Sequence, residues 1–447
     1  MTTTPLIQPR TLKGFRDYLP EVALPRERMM EQIRHVFRSY GYLPIDTPAL
    51  EYAEILLGKG GEETDRQMYR FRDHGGRDVA LRFDLTVPLA RFAAEHMGQL
   101  GIPFKRYHIA PVWRGENTQR GRYREFVQCD FDFIGTQALA ADAEVVLVIH
   151  DLLRALGLQR FTIRINDRHL MGGLLEEWGL LERQTSILRA LDKLGRAGPH
   201  EVRAELTERV GLSEPLAERI LELAATAGAP EHIVPALHKA YAGHPRIVEA
   251  LDRLGQLCTL VHAAGIAPET VILDLSIARG LDYYTGTVYE TYLGDLPGIG
   301  SVCSGGRYDN LASLYTRQVL PGVGASLGLD RLLAAMEELG LLERRAAAAP
   351  VLIVYFDAAR LADYMRLGRQ LRQAGIGAEV YPEPRKIGTQ LAYADRRGYT
   401  LALIAGSDEF VRQAWQIKDL RSGKSHEVRS EDVVAAVRAL LATGATT

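Results

Sequence analysis

At 447 residues, with 47% hydrophobic and 25% charged side chains, the chain has the make-up of a soluble globular protein and is too long for one ordinary domain. Its 54 Lys and Arg against 56 Asp and Glu leave a formal charge of -2, which speaks against a non-specific nucleic-acid coater and leaves only local basic patches for such contacts. Three scattered cysteines (129, 258, 303) fit neither a metal knuckle nor a C-x-x-C, no apolar run is long enough to cross a bilayer, and the first residues lack a signal-peptide core, so a soluble cytoplasmic protein with no membrane partner is expected.

The spacing of Met29, Ile33, Val36 and Phe37 predicts a helix over 25–40, and Pro44 and Pro48 hold 42–48 extended after it. β-branched and aromatic runs predict strands at 79–83, 104–113, 125–133 and 161–165, with helices at 86–96 and 140–156. Strands that follow one another with so little helix between them favour an antiparallel or mixed sheet over repeated βαβ units. From 172 to 262 the pattern turns helical, rich in Leu, Ala, Glu and Arg and broken at Gly198-Pro199, Ala229-Pro230 and His244-Pro245, which reads as an inserted helical domain. Strands return at 271–276 and 287–293, and a helix begins near Leu327. After an alanine linker at 346–349, strands at 351–356, 378–381 and 400–404 alternate with helices at 361–374 and 386–397, predicting a small α/β domain with a mostly parallel sheet.

Three polar segments could carry chemistry. Residues 113–132, WRGENTQRGRYREFVQCDFD, read as two strands joined by a basic loop, able to aim Arg114 and Arg124 at one ligand. A hairpin with merely solvated charges is the plainer alternative, but Gln128, Asp130 and Asp132 alternate with apolar residues in a way that a structural strand does not need. Residues 278–290, ARGLDYYTGTVYE, set Arg279, Asp282, Tyr283, Tyr284 and Tyr289 around two glycines; a tyrosine-rich turn packed on the core explains them equally well. Residues 321–332, PGVGASLGLDRL, miss the G-x-G-x-x-G fingerprint, and Lys418 stands where a P-loop around Ser422–Ser425 would need glycine. Neither a dinucleotide enzyme nor a P-loop NTPase is supported.

Together these segments resemble the class II aminoacyl-tRNA synthetases. TPALE at 47–51 is similar to the end of their first motif, WRGENTQRGRYREF to the second, and GVGASLGLDRL, ending in Arg331, to the third. ARGLDYYTGTVYE and SGGRYDNL (304–311) resemble signatures of the histidine-specific family, and the resemblance extends from LKGFRDYLP at 12–20 into the C-terminal domain. It implies an α+β fold: a six-stranded antiparallel catalytic sheet over 1–345, interrupted by the helical insertion at 172–262, and an anticodon-binding α/β domain over 350–447, in a homodimer.

The resemblance also implies roles. Arg114 would hold the α-phosphate of ATP and Arg331 the γ-phosphate, Phe126 would stack on adenine, and Glu116 would complete the ATP site, with Mg2+ accompanying the phosphates. Arg279, with Arg114 the catalytic pair, would touch both the α-phosphate and the histidine carboxylate. Asp84, Thr86 and Gln128 would bind the substrate ammonium, Asp132 and Tyr284 its imidazole, with Tyr283 beside them. Gln119 and Arg120 would meet the acceptor end of histidine tRNA. Asp84 stands where many bacterial members carry Glu, and Asn117 and Thr118 where many carry Arg and Pro, which leaves open how the tRNA's extra 5′ guanosine is read. Non-catalytic relatives, the regulatory subunits of ATP phosphoribosyltransferase, share the catalytic fold but lack the C-terminal domain and the tyrosine-rich signature.

Overall fold

The computed structural model describes residues 6–58, 62–277, 283–342 and 347–443. It divides into two compact units, one of residues up to Arg16 with Met29–Leu341, the other of Asp17–Arg28 with Leu342–Thr447.

The strands of the first unit are β1 (Leu43–Pro44), β2 (Leu50–Tyr52), β3 (Arg70–Arg72), β4 (Asp78–Leu81), β5 (Phe104–Trp113), β6 (Glu125–Ile134), β7 (Phe161–Asp167), β8 (Ala227–Gly228), β9 (Val271–Asp274), β10 (Thr287–Leu293), β11 (Cys303–Tyr308) and β12 (Gly322–Gly328). Nine form one sheet in the order β1-β5-β6-β12-β11-β10-β7-β9-β8, and β2-β4-β3 form a small one. From β5 to β7 every neighbouring pair is antiparallel, which is the six-stranded arrangement that the resemblance implies. Parallel strands β1 and β9 extend it on either side, and β8, inside the helical stretch, pairs with β9.

Because side chains alternate along a strand, each strand of this sheet gives one set of residues to each face. In β6 the odd positions Val127, Cys129, Phe131 and Phe133 are buried and apolar, while Gln128, Asp130 and Asp132 point the other way. The apolar face is covered by helices. Helix Pro20–Ser39 starts earlier than its spacing predicts, with Pro25 inside it, and lays Phe37 against Tyr107 and Phe131 at ring distances of 5.4 and 5.2 Å. Helix Leu139–Ala155 buries Val145, Val146, Val148, Ile149, Leu152 and Leu153, and each such side chain contributes about 1.5–3 kcal/mol.

The predicted breaks in the helical stretch become helix starts: Pro199, Pro230 and Pro245 each open a helix at a position where the missing N–H costs nothing. Helix Pro245–Ala263 packs on Leu139–Ala155 and sends Arg253 to Asp142, 2.7 Å away.

The second unit holds β13 (Val351–Ile353), β14 (Ala378–Val380), β15 (Leu401–Ile404), β16 (Ala414–Asp419) and β17 (Ser425–Arg429), ordered β14-β13-β15-β16-β17. The first three are parallel as the alternation predicts, but β16 and β17 form an antiparallel hairpin that the sequence reading did not identify. Ser422–Ser425 runs from that hairpin's turn into β17, which accounts for its glycine without any phosphate site. Helices Leu361–Gln373 and Val433–Thr443 bury Tyr364, Leu367, Leu371, Val433 and Val437 against this sheet.

In the first unit, Asp142 is fully buried in the opening turn of its helix, where a carboxylate also suits the helix dipole. Its carboxylate takes Arg307 at 2.6 Å and Arg253 at 2.7 Å, and its carbonyl accepts from Tyr289 at 3.2 Å. Asp142→Ala leaves the buried Arg307 with Asp309 alone as a carboxylate partner, and removing one partner of a buried ion pair costs about 3–5 kcal/mol. Chemical denaturation should show the first unit unfolding at a clearly lower denaturant concentration; an unchanged midpoint would mean that the network is energetically neutral.

Candidate active site

The polar face of the six-stranded sheet gathers the chemistry. Cross-strand register sets Arg106 opposite Asp132 and His108 opposite Asp130 on one side, with Gly324 and Ser326 opposite the same two acids on the other. Arg106 is completely buried, its Nη2 2.7 Å from Asp132 Oδ2 and 3.9 Å from Asp130 Oδ2. The other oxygen of Asp132 accepts the hydroxyl of Tyr308.

Glycines on the neighbouring strands make room for this. A Cβ on Gly324 would lie 2.2 Å from Asp132 Oδ1, one on Gly322 would run into the Tyr308 ring at 2.3 Å, and one on Gly306 would meet Tyr284 at 2.9 Å. The glycine-rich segments are therefore strands whose missing side chains let acids and tyrosines lie flat on the backbone, and not phosphate turns.

The segment after β4 completes the wall. Asp84 Oδ1 accepts the main-chain N–H groups of Thr86 and Val87 at 2.9 and 2.8 Å, capping helix Thr86–Leu100. Arg106 donates to the carbonyl of Leu85 at 3.3 Å, and Tyr283 shares a hydrogen bond with Thr86. The rings of Tyr283 and Tyr284 meet edge-on at 5.0 Å, those of Tyr283 and Tyr308 at 5.9 Å. A closed circuit results: Thr86, Leu85, Arg106, Asp132, Tyr308, Tyr283 and back.

Water is excluded here, and the ionisations respond. Burial raises the carboxyls of Asp84 and Asp132 above their ordinary value despite the opposing field of Arg106, and it pushes Asp130 up to about 7. Burial beside Arg106 and Arg82 drives His108 down to about 4 although Asp46 hydrogen-bonds to it at 3.0 Å. Among the described residues, Gln128 Oε1, Asp130 Oδ1 and Arg106 Nε and Nη1 are buried without a hydrogen-bond partner. Four such atoms on one sheet face leave hydrogen-bonding capacity that the described residues do not use.

At the end of the face, Arg114 donates to the carbonyl of Phe83 at 3.0 Å and lies over the rings of Phe83 and Phe126 at 4.4 and 5.1 Å. Phe126 thus already has a planar cation against it. Glu116 lies 3.4 Å from Arg122. The turn Gln119–Arg122 brings Gly121 so close to Arg331 that a Cβ there would lie 3.1 Å from its Cα, and Arg331 itself donates to the carbonyl of Ser301. Arg120 reaches away to an exposed ion pair with Glu338 at 2.7 Å.

A model of the histidyl-tRNA synthetase family matches residues 14–332, and an anticodon-binding domain model matches 350–440. A histidine–tRNA ligase of Rhodopirellula baltica is 56% identical over 423 residues, 95% of this chain and 96% of the relative. The chain belongs to the histidyl-tRNA synthetase family. A histidine–tRNA ligase of Wolinella succinogenes is 45% identical, over 97% of this chain and 98% of its own length. The crystal structure of a histidyl-tRNA synthetase from Nostoc sp. PCC 7120 superposes with a TM-score of 0.88 at 33% identity, covering 97% of this chain and 99% of that one.

Of the residues that the resemblance to histidyl-tRNA synthetases implies, Asp84, Thr86, Gln128, Asp132, Tyr283 and Tyr284 converge on the polar face, and Arg114 and Phe126 stand at its end. Arg331 joins the 119–122 turn. Arg279 lies outside the described residues. Sequence reading passed over Arg106, His108, Tyr308 and Ser326 and gave Asp130 no role. Period two in FKRYHIAPVW, which places Arg106 and His108 on one face, was the available signal.

Gly324→Ala forces its methyl group into Asp132 and the carbonyl of Phe131, and such overpacking costs about 1–3 kcal/mol. Thermal unfolding should begin several degrees lower; an unaltered melting curve would show that the two strands part freely and that the glycine is not required.

Proposed function

We infer that this chain joins histidine to its tRNA: histidine and ATP give histidyl-adenylate and pyrophosphate, and the histidyl group then passes to the 3′-terminal adenosine. The observation that carries this reading is the desolvated sheet face of a histidyl-tRNA synthetase family member, where acids, an amide and tyrosines converge beside an arginine held on two aromatic rings. Carboxylates on that face suit a ligand with an ammonium and an imidazole, both N–H donors.

Asp84, with one oxygen committed to two backbone N–H groups, keeps its other oxygen for the substrate ammonium, and the orphaned Gln128 Oε1 is a second acceptor. Asp132, fixed by Arg106 and Tyr308, would take the imidazole with Tyr284, and Tyr283 would hold Thr86 in place. The histidine carboxylate attacks the α-phosphorus, the bond to pyrophosphate breaks, and negative charge builds on the phosphoryl oxygens. Arg114 and Arg279 would meet that charge, Arg331 the γ-phosphate, while Glu116 would border the ATP site. Phe126 would stack on adenine. Gln119 and Arg120, exposed on the motif loop, would meet the tRNA acceptor end.

Mg2+ belongs with ATP. No group of three or more His, Cys, Asp or Glu able to hold a metal occurs among the described residues, which suits an ion held chiefly by phosphates and water. When bound it neutralises phosphate charge. The division of labour would follow the segments, with catalysis in 1–345, the 172–262 helices inserted into it, and anticodon contact in 350–447. A homodimer is favoured by the apolar side chains left exposed on the small sheet, Leu50, Tyr52 and Phe71, and at the edge strand by Leu43. A cytoplasmic location agrees with three buried cysteines outside any disulfide and with no described helix long and apolar enough to cross a membrane.

Pyrophosphate exchange with each amino acid in turn should proceed with histidine alone. Exchange with another amino acid, or with none, would remove the assignment. Asp132→Ala should raise the histidine concentration needed for exchange by about 10–100-fold, the cost of an unmet buried N–H being about 1–3 kcal/mol, and leave the ATP requirement within about twofold. Equal losses for both substrates would make the residue structural.

A further inference from the structure

Among the described residues, Asp130 is the acid of the polar face to which the assigned roles give no work. It is almost wholly buried, its Oδ1 has no hydrogen-bond partner among the described residues, and it shares a strand face with Gln128 and Asp132. The elements packed against it bring little balancing charge. From β5 come Arg106, 3.9 Å away and already paired at 2.7 Å with Asp132, and His108. Burial keeps His108 neutral near pH 7. On its own strand stands Asp132; from β12 comes the Ser326 hydroxyl, from β11 the buried thiol of Cys303, and from the loops Asp84 and Tyr284. Arg82 lies farther off, its guanidinium spent on the carbonyls of Pro111 and Thr47.

One fully buried guanidinium therefore serves two carboxylates, while a third, Asp84, leans on backbone N–H groups. Asp130 is the carboxyl left over, and its ionisation is pushed up to about 7 by burial, against the pull of Arg106. In the empty pocket near neutrality it keeps a proton for about half of the time.

We propose that Asp130 is a further histidine-pocket residue and acts as its proton exchanger: the carboxyl is neutral while the pocket is empty and ionises when an N–H group of the substrate docks against the orphaned oxygen. The proton leaves Asp130 for solvent, and the substrate N–H donates a hydrogen bond to the carboxylate that remains. This rests on the reading of the face as the histidine site. Its consequence for specificity is direct, because an isosteric side chain without an N–H donor leaves the carboxyl protonated and gives its orphaned oxygen no partner in the buried pocket.

The Asp130 ionisation is high without ligand and low with it, so histidine binding is full above about pH 7 and weakens as pH falls through it. Isothermal titration of the full-length protein with L-histidine, in phosphate and in Bis-Tris, gives the number of protons released from the difference in apparent heat. The wild type should release about half a proton more than Asp130→Asn at pH 7, nearing one more at pH 6. Over that range its affinity should fall up to about tenfold per pH unit more steeply than that of the variant. Ionisation of free histidine is common to both proteins and cancels. ATP binding and a cooperative melting transition certify each variant as folded, and Asp130→Ser serves in the same comparison should the Asn variant not fold. Equal proton release by wild type and variant overturns the proposal. A wild type that binds no L-histidine overturns the reading of the face as well, so the two failures are told apart.

Discussion

Arg106 is the constraint from which the rest of the site follows. A guanidinium with no solvent exposure must be met by a carboxylate, and it lies directly across the strand pair from Asp132 because β5 and β6 are antiparallel in a register that aligns them. A one-residue slip of β5 would send Arg106 to the apolar face, and one of β6 would send Phe131 into the pocket. The register is fixed in turn by the other side of the sheet, where Phe131 and Tyr107 interlock with Phe37 and Tyr42. The hydrophobic core thus sets the position of a polar residue on the opposite face of the sheet.

Strand β6 was legible because its two faces are opposite in character: apolar at 127, 129, 131 and 133, polar at 128, 130 and 132. The glycine strands were harder. Gly305, Gly306, Gly322 and Gly324 carry no side chain from which to read a period, and what they make room for comes from other segments: Ala325, Tyr284, Tyr308 and Asp132 in turn. The same distance hid Arg106. Charge within FKRYHIAPVW looks like the solvated side of an edge strand until β6 is laid beside it, since a pairing between positions 26 residues apart has no local signature. Within the second unit, β16 and β17 are short strands joined by a polar turn, and their alternation covers too few residues to stand out. By contrast the helical stretch announced its boundaries through prolines, whose effect on the backbone is local and independent of the fold.

The early segment LKGFRDYLP belongs to the signature for a reason that only the contacts reveal. Arg124 in the motif loop donates its main-chain N–H to the carbonyl of Gly14 at 2.8 Å, and Gly14, at φ +88, sits so near the Arg124 side chain that a Cβ would lie 2.6 Å from it. Two residues on, Arg16 stacks 4.1 Å over the ring of Tyr123, donates to its hydroxyl at 2.8 Å, and reaches Asp330 at 3.4 Å. Asp330 in turn accepts the main-chain N–H of Val127 at 2.8 Å. Three segments separated by more than 100 and by more than 200 residues are thereby tied at one point: the N-terminal strap, the motif loop that carries Arg114, and the helix that carries Arg331. The loop gathers Arg114, Arg120, Arg122 and Arg124 in a short span, and like charges so close repel. Tethered by Gly14 and Arg16 at its root, it keeps Arg114 on its two aromatic rings and holds the 119–122 turn against Arg331, so the two arginines assigned to opposite ends of a triphosphate are positioned by the same short strap.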